Sequence, residues 1–320
     1  MIVTAALLGI ATLISVAAPR MSGTAWGQRA PRLAVFAWQS ASLTVIATTV
    51  LAGLTMLVAS TPLSGGLAEV FHACVLTIRS AYDSPGHLLG VVLGLGLSVA
   101  LPARVAWCLA ATGVHGWRRR RQLRRLIAVV ARPDAALGVS IVEAESAAAA
   151  FCLAGKGGTI VLTTAAVRSL NVRELDAVLA HERAHLRGRH DIAVGAAHAL
   201  ARALPFAPMF GVAAAEIGEL VELIADDCAA GKVDRLEVAS ALVTLAGMTA
   251  PAIALPAAQG ATAARVSRLL QPGRPLRPVH TALGVALGIL ALAVPLAVAA
   301  IPLIAALASG LCTVPNIAIG

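Results

Sequence analysis

Asn171-Val172-Arg173-Glu174-Leu175-Asp176-Ala177-Val178-Leu179-Ala180-His181-Glu182-Arg183-Ala184-His185-Leu186-Arg187-Gly188 is the stretch on which the reading of this chain turns. Asn171 is a helix cap and Glu174 stands three residues later, the spacing of a capping box. The helix so opened is expected to run to about Arg187, with Gly188 as its terminator. On it His181 and His185 are four residues apart, so both imidazoles project from one face about one turn apart, and two nitrogens can meet one tetrahedral zinc ion. Glu182 follows the first histidine, where a carboxylate reaches a water on the metal rather than the metal itself and can take its proton. The chain has only 8 histidines in 320 residues, so this constellation is hard to assign to chance.

A third protein ligand is required, and two candidates follow. Asp191 completes a His185-x-x-Gly188-x-x-Asp191 pattern in which Gly188 turns the chain back towards the metal. Glu222 belongs to Glu222-Leu223-Ile224-Ala225-Asp226, a carboxylate pair on one helical face. There one acid can bind zinc while Asp226 accepts an N–H from a ligand histidine. The plain alternative for Glu219, Glu222 and Asp226 is a solvated acidic stripe.

Working outward, the chain is 58% hydrophobic and only 13% charged, against about a quarter charged in soluble domains, so much of it belongs in lipid. Its acids are concentrated: only Glu69 and Asp83 precede Asp134, and none follows Glu237. The middle therefore reads as a water-facing domain between membrane segments. The net charge of +9 could indicate nucleic acid, but Arg118 to Arg121, Arg124 and Arg125 follow an apolar run, and Arg265, Arg268, Arg274 and Arg277 precede another. Those are positions of topology determinants, and aromatic residues for base stacking are scarce, so direct nucleic-acid binding is not expected. The five cysteines show no metal-type spacing. Arginine outnumbers lysine 23 to 2, a mark of a GC-rich bacterial genome.

Four runs are long enough to span: about 2–18, 35–59, 88–114 and 281–308. The first lacks a basic n-region and reads as an uncleaved span. Pro102, Pro295 and Pro302 predict kinks, and Arg104 is expected to snorkel or face protein. Arg20, Arg29 and Arg32 in the first loop and the arginine run after the third span make those loops cytoplasmic, with both termini outside the plasma membrane. The fold class is thus a mainly α membrane protein with a small α+β domain inserted between spans three and four. Residues 1–125 form the N-terminal membrane region, 126–278 the cytosolic domain, and 279–320 the last span and tail. Val139 to Glu143, Ala148 to Leu153 and Thr159 to Thr163 predict a small antiparallel sheet. The apolar stretch Asp191 to Ala214 is broken by Arg202, Pro205 and Pro208, which favours a membrane-surface helix or a hairpin over a fifth span.

Ala180 to Asp191, together with Glu222 to Asp226 and the order of spans, resembles the BlaR1/MecR1-like membrane metallopeptidases of peptidase family M56, and more distantly the Ste24/HtpX-type peptidases. The resemblance covers nearly the whole chain, by motif from 135 to 278 and by hydropathy elsewhere. It implies a gluzincin-type zinc endopeptidase with one zinc per chain, in which Glu222 rather than Asp191 is the third ligand. It also implies that an extended substrate strand pairs with an edge strand just before the active-site helix, for which Thr159, Ile160, Val161, Leu162 and Thr163 are the candidates. The substrate it implies is a cytosolic or membrane-proximal protein, such as a helix-turn-helix repressor. Antibiotic-sensing members carry a penicillin-binding domain after the last span, and the dozen residues that follow here are too few for one. Other readings are a signalling receptor with a structural zinc, a quality-control protease, or a channel. Glu182 argues against the first, since a closed structural site dispenses with it, and the near absence of ionisable residues in the spans argues against the last. Arg187, Arg189 and His190 are assigned to the helix end or lipid headgroups. Nothing in the sequence fixes the oligomeric state.

Overall fold

Uninterrupted apolar sequence with no competing hydrogen-bonding side chains leaves the backbone to satisfy itself, and the long runs are helical throughout. The computed structural model describes residues 2–59, 85–155, 157–249, 256–271 and 273–308; most of the loop between the second and third runs, and the tail bearing Cys312, lie outside them. Helices α1 (Ile2–Ala17), α2 (Ala25–Arg29) and α3 (Pro31–Ala59) are followed by α4 (Pro85–Leu95), a π-helical turn (Gly96–Ala100) and α5 (Leu101–Val130). The last long helix, called α12 here, covers Pro278–Ala308. Among the described residues, four helical segments are long and apolar enough to cross a membrane.

Two differences from the expected layout have physical causes. The π-helical turn ends just before Pro102, where a ring without an N–H displaces the ordinary ladder. And α5 does not end with its apolar part. It carries the arginine run on to Val130, so no break falls at 125/126 and the first strand begins at Ala131.

The strands are β1 (Ala131–Asp134), β2 (Val139–Val142), β3 (Ala150–Leu153) and β4 (Thr159–Thr163). Their order is β1-β2-β4-β3, with β2 and β4 parallel and the other two pairs antiparallel. The sheet is therefore mixed, and β1 had no signal in the sequence. The expected edge strand is also corrected: Thr159–Thr163 is paired on both sides, through Val161 and Leu162 to β2 and β3 alike, and has no free edge to offer. The edge is β3. Arg124 on α5 donates to the carbonyls of Leu153 (3.4 Å) and Ala154 (2.8 Å) at its end. The guanidinium occupies the space beside Gly155, whose φ of +124° suits only glycine.

After β4 come α6 (Thr164–Ser169), α7 (Val172–Gly188), α8 (His190–Ala203), α9 (Pro208–Ala230), α10 (Arg235–Thr249) and α11 (Pro256–Leu270). The capping box is formed: Asn171 Oδ1 accepts from the amides of Arg173 and Glu174, and Glu174 accepts from the amide of Asn171. One apolar core lies between the sheet, α7, α10 and α11, around Leu162, Leu179 and Leu269. A second joins α1 and α3 to α8 and α9 around Trp38, Met209, Phe210 and Ile217. The stretch 191–214 is thus part of a helical hairpin, α8 and α9, whose return limb carries Glu222 back to α7.

Candidate metal centre

Helix α7 presents His181, Glu182 and His185 on its inner side, and α9 crosses it with Glu222 and Asp226 one turn apart. The Nε2 atoms of His181 and His185 are 3.0 Å apart. The Glu222 carboxylate lies 3.5 Å from the first and 3.4 Å from the second. Four donors around zinc at about 2.0–2.1 Å are separated by roughly 3.3 Å in tetrahedral geometry, so this spacing fits one zinc ion. Among the described residues His181, His185 and Glu222 form the group of ligand atoms close enough to hold a metal.

Each imidazole has a partner on its other nitrogen. His181 Nδ1 is 3.0 Å from Asp226 Oδ1, so the ring donates there and keeps the Nε2 lone pair facing the site. His185 Nδ1 is 2.9 Å from Nδ1 of His190. With His185 donating and a neutral His190 accepting, the second Nε2 also faces inward. His190 reaches this position because Arg189, left-handed at φ 48°, ends α7 and starts α8, and because Gly188 leaves room for its ring. The helix stop thus lies one residue beyond the glycine, whose part is to admit the imidazole.

A third element was missed by the sequence reading. Arg265 on α11 donates to both oxygens of Asp226 at 2.7 Å and lies 3.1 Å from Glu222. In the sequence it reads only as a topology determinant, and its 39-residue separation from Asp226 leaves no local pattern to detect. Asp226 is fully buried, and such a carboxylate persists only with charged partners. Arg268 makes a parallel bidentate pair with Asp227 at 2.9 and 2.8 Å.

These contacts set the protonation of the metal-free site. Burial disfavours charge on His181, but the hydrogen bonds to Asp226 and Glu222 outweigh it and raise its pKa to about 9. Burial would raise both acids; His181 and Arg265 hold them below the ordinary carboxylate range instead. Burial and the neighbouring His181 lower His185, and burial and His185 lower His190 to about 4, so His190 stays neutral. Glu182 moves up, because burial exceeds the opposing effects of His181 and of the Cys152 thiol that donates to it. A raised carboxylate pKa suits a group that must take and return a proton near neutrality. Cys152 itself, buried and beside Glu182, is raised to about 12.

The remaining candidates fall elsewhere. Asp191 lies at the start of α8 and pairs with Arg120 at 3.4 Å, outside the group of close ligand atoms. Thr159 to Thr163 lies behind β3 as seen from α7. A cleft of about 940 Å³ opens beside Glu222 and Arg265, walled by Gln28 of the first loop, Glu219 and Arg268; it does not reach the histidines.

No curated protein and no solved structure matches this chain. The model of peptidase family M48 matches residues 116–262, from Gly116 of α5 through the histidine helix and the Glu222 helix into α11, and this supports a metallopeptidase.

Proposed function

We propose that the chain is a membrane-embedded zinc-dependent endopeptidase acting on cytosolic or membrane-proximal proteins. The observation that carries this is the meeting of two imidazole nitrogens and one carboxylate at 3.0–3.5 Å, with the unligated Glu182 next in sequence to the first histidine. In this reading His181, His185 and Glu222 hold the ion, Asp226 and His190 orient the two rings, and Asp191 serves as an ion-pair partner of Arg120. Bound zinc supplies Lewis acidity, polarising a scissile carbonyl and bringing the pKa of a water down towards about 7. Glu182, beside the site and with its pKa raised by burial, is the group that would take a proton from such a water and give it to a leaving amine. Arg265 holds Glu222 and Asp226 in place.

The substrate strand is assigned to β3 rather than β4. Only β3 of these two has unpaired backbone groups, its Phe151 is exposed, and its Cys152 lies close enough to Glu182 for each to shift the other's pKa. An extended peptide adding to that edge would lie along α7 with its carbonyl near the site. The four apolar helices are taken to span a bacterial plasma membrane with the domain on the cytosolic side, as in the M56 resemblance. A helix-turn-helix repressor is one substrate of suitable location.

The test is protein purified in detergent and incubated with a co-expressed substrate. The parent holds one zinc and cleaves, while Glu182→Gln keeps the zinc and loses cleavage. Undiminished cleavage by that variant overturns the general-base assignment, and a parent without zinc overturns the reading as a whole. Metal content of Glu222→Ala and Asp191→Ala decides the third ligand, with loss expected only in the former.

A further inference from the structure

The α8–α9 hairpin carries an apolar turn, Leu204-Pro205-Phe206-Ala207-Pro208, and no ionisable residue between Arg202 and Glu216. Its base is anchored where α1 ends. Glu216 accepts from Ser22 Oγ (2.5 Å) and from the amide of Gly23 (3.0 Å), directly after the apolar segment Ile2–Met21. From Glu216 back to Pro208 the helix descends about 12 Å at 1.5 Å per residue, against a hydrocarbon core about 30 Å thick. Ala203, Leu204, Met209 and Phe210 share one buried core with Trp38 and Val45 of α3. Ala203 O is bonded directly to Arg104, which stands about 21 Å along α5 from Arg118 at the same rise, so the turn lies level with the apolar part of that helix.

The backbone there is provided for. The amides of Leu204, Ala207 and Phe210 find carbonyls within the hairpin. The carbonyls that end α8 find Arg104: its Nε donates to Ala203 O at 2.7 Å and its Nη2 reaches Arg202 O at 3.4 Å. Arg104 is the one charged residue inside the apolar part of α5. It neither snorkels nor pairs with an acid but caps a helix end, which is what non-helical backbone needs at membrane depth. Phe206, at the tip, is 78% exposed.

We infer that the α8–α9 hairpin is a re-entrant membrane element whose tip, at Phe206, contacts lipid acyl chains near the bilayer middle. The occupant is lipid because the tip beyond Ala203 is apolar and carries an exposed aromatic, while the two nearest charges are engaged by protein: Arg104 with the carbonyls that end α8, and Arg202 with Thr112 Oγ1 at 3.3 Å. One consequence concerns substrates: Glu222, six residues beyond Glu216, stands about 9 Å above the membrane surface by helical rise. The site therefore acts on protein segments held against the membrane. The inference rests on the four apolar helices spanning a bilayer, and its test separates the two.

Spin labels are attached at position 206, at Leu54 on the exposed face of α3, and at Val172 at the start of α7, in full-length protein whose native cysteines are replaced and which is reconstituted into phosphatidylcholine–phosphatidylglycerol vesicles. Relaxation by oxygen, which partitions into lipid, is compared with relaxation by a water-soluble nickel chelate. The expected result is that 206 and 54 both respond to oxygen and are shielded from nickel, with 172 the reverse. Nickel-accessible 206 beside oxygen-accessible 54 overturns the hairpin inference while leaving the spans intact. Shielding of 206 from both reagents means protein covers the tip and overturns the lipid assignment. Nickel access at 54 as well removes the spanning reading on which the inference stands.

Discussion

Replacing Gly188 by alanine separates two effects that ordinarily travel together. In a helix the change should stabilise, by up to about 1 kcal/mol, since glycine has the greater backbone freedom to lose. Gly188 is not among the positive-φ residues, so no backbone strain opposes that gain. Yet a Cβ there would lie 2.6 Å from Cδ2 of the His190 ring, too close for any real contact. The ring must move, and it is held at the other side by His185 Nδ1 at 2.9 Å. Loss of such an outer partner typically weakens metal binding 10–100-fold, or about 1.4–2.7 kcal/mol. Gly188→Ala should therefore bind zinc 10–100-fold less tightly, measured by competition with a chromophoric chelator, while its metal-free thermal midpoint stays level or rises. His190→Ala should show the same loss. The double variant should be no worse than His190→Ala alone, because without the imidazole the new methyl has nothing to strike. Parent-like zinc affinity in Gly188→Ala, or strictly additive losses, would refute the reasoning.

Other expectations follow from the same geometry. Arg265→Met should destabilise by about 3–5 kcal/mol, since it strands the fully buried Asp226 without its cation; a shift below 1 kcal/mol in chemical unfolding would show that Asp226 is satisfied otherwise. Arg104→Met leaves the Ala203 carbonyl unpaired and should cost about 1–3 kcal/mol, read as a lower thermal midpoint in detergent with zinc content unchanged. With its pKa near 12, Cys152 should react with iodoacetamide at pH 8 roughly 10³-fold more slowly than an ordinary thiol of pKa about 8.5, by mass spectrometry of the labelled peptide. Its labelling at the rate of an unperturbed cysteine would mean that the burial of Cys152 beside Glu182 is absent in solution.

The local parts of this architecture were legible without coordinates. The capping box at Asn171 and Glu174, the common face of His181 and His185 and the four apolar helices each depend on residues within a few turns of one another, so hydropathy and a 3.6-residue period suffice. At 191–214, Pro205 and Pro208 argue against a straight span, but the sequence leaves a membrane-surface helix and a hairpin open, and the structure gives the hairpin. What required the tertiary structure was whatever chain reversal brings together. Asp191 and Glu222 were equal candidates by residue type, and packing alone takes one to Arg120 and the other to the imidazoles. Arg265 arrives from a helix whose own sequence reads as a membrane flank. Thr159–Thr163 has the stronger β signal and the expected place before α7, yet β3 folds outside it, because strand order is fixed by the connections and by which faces α7 and α10 cover. Pattern within a segment is set by backbone periodicity; neighbours across segments are set by how the buried faces fit.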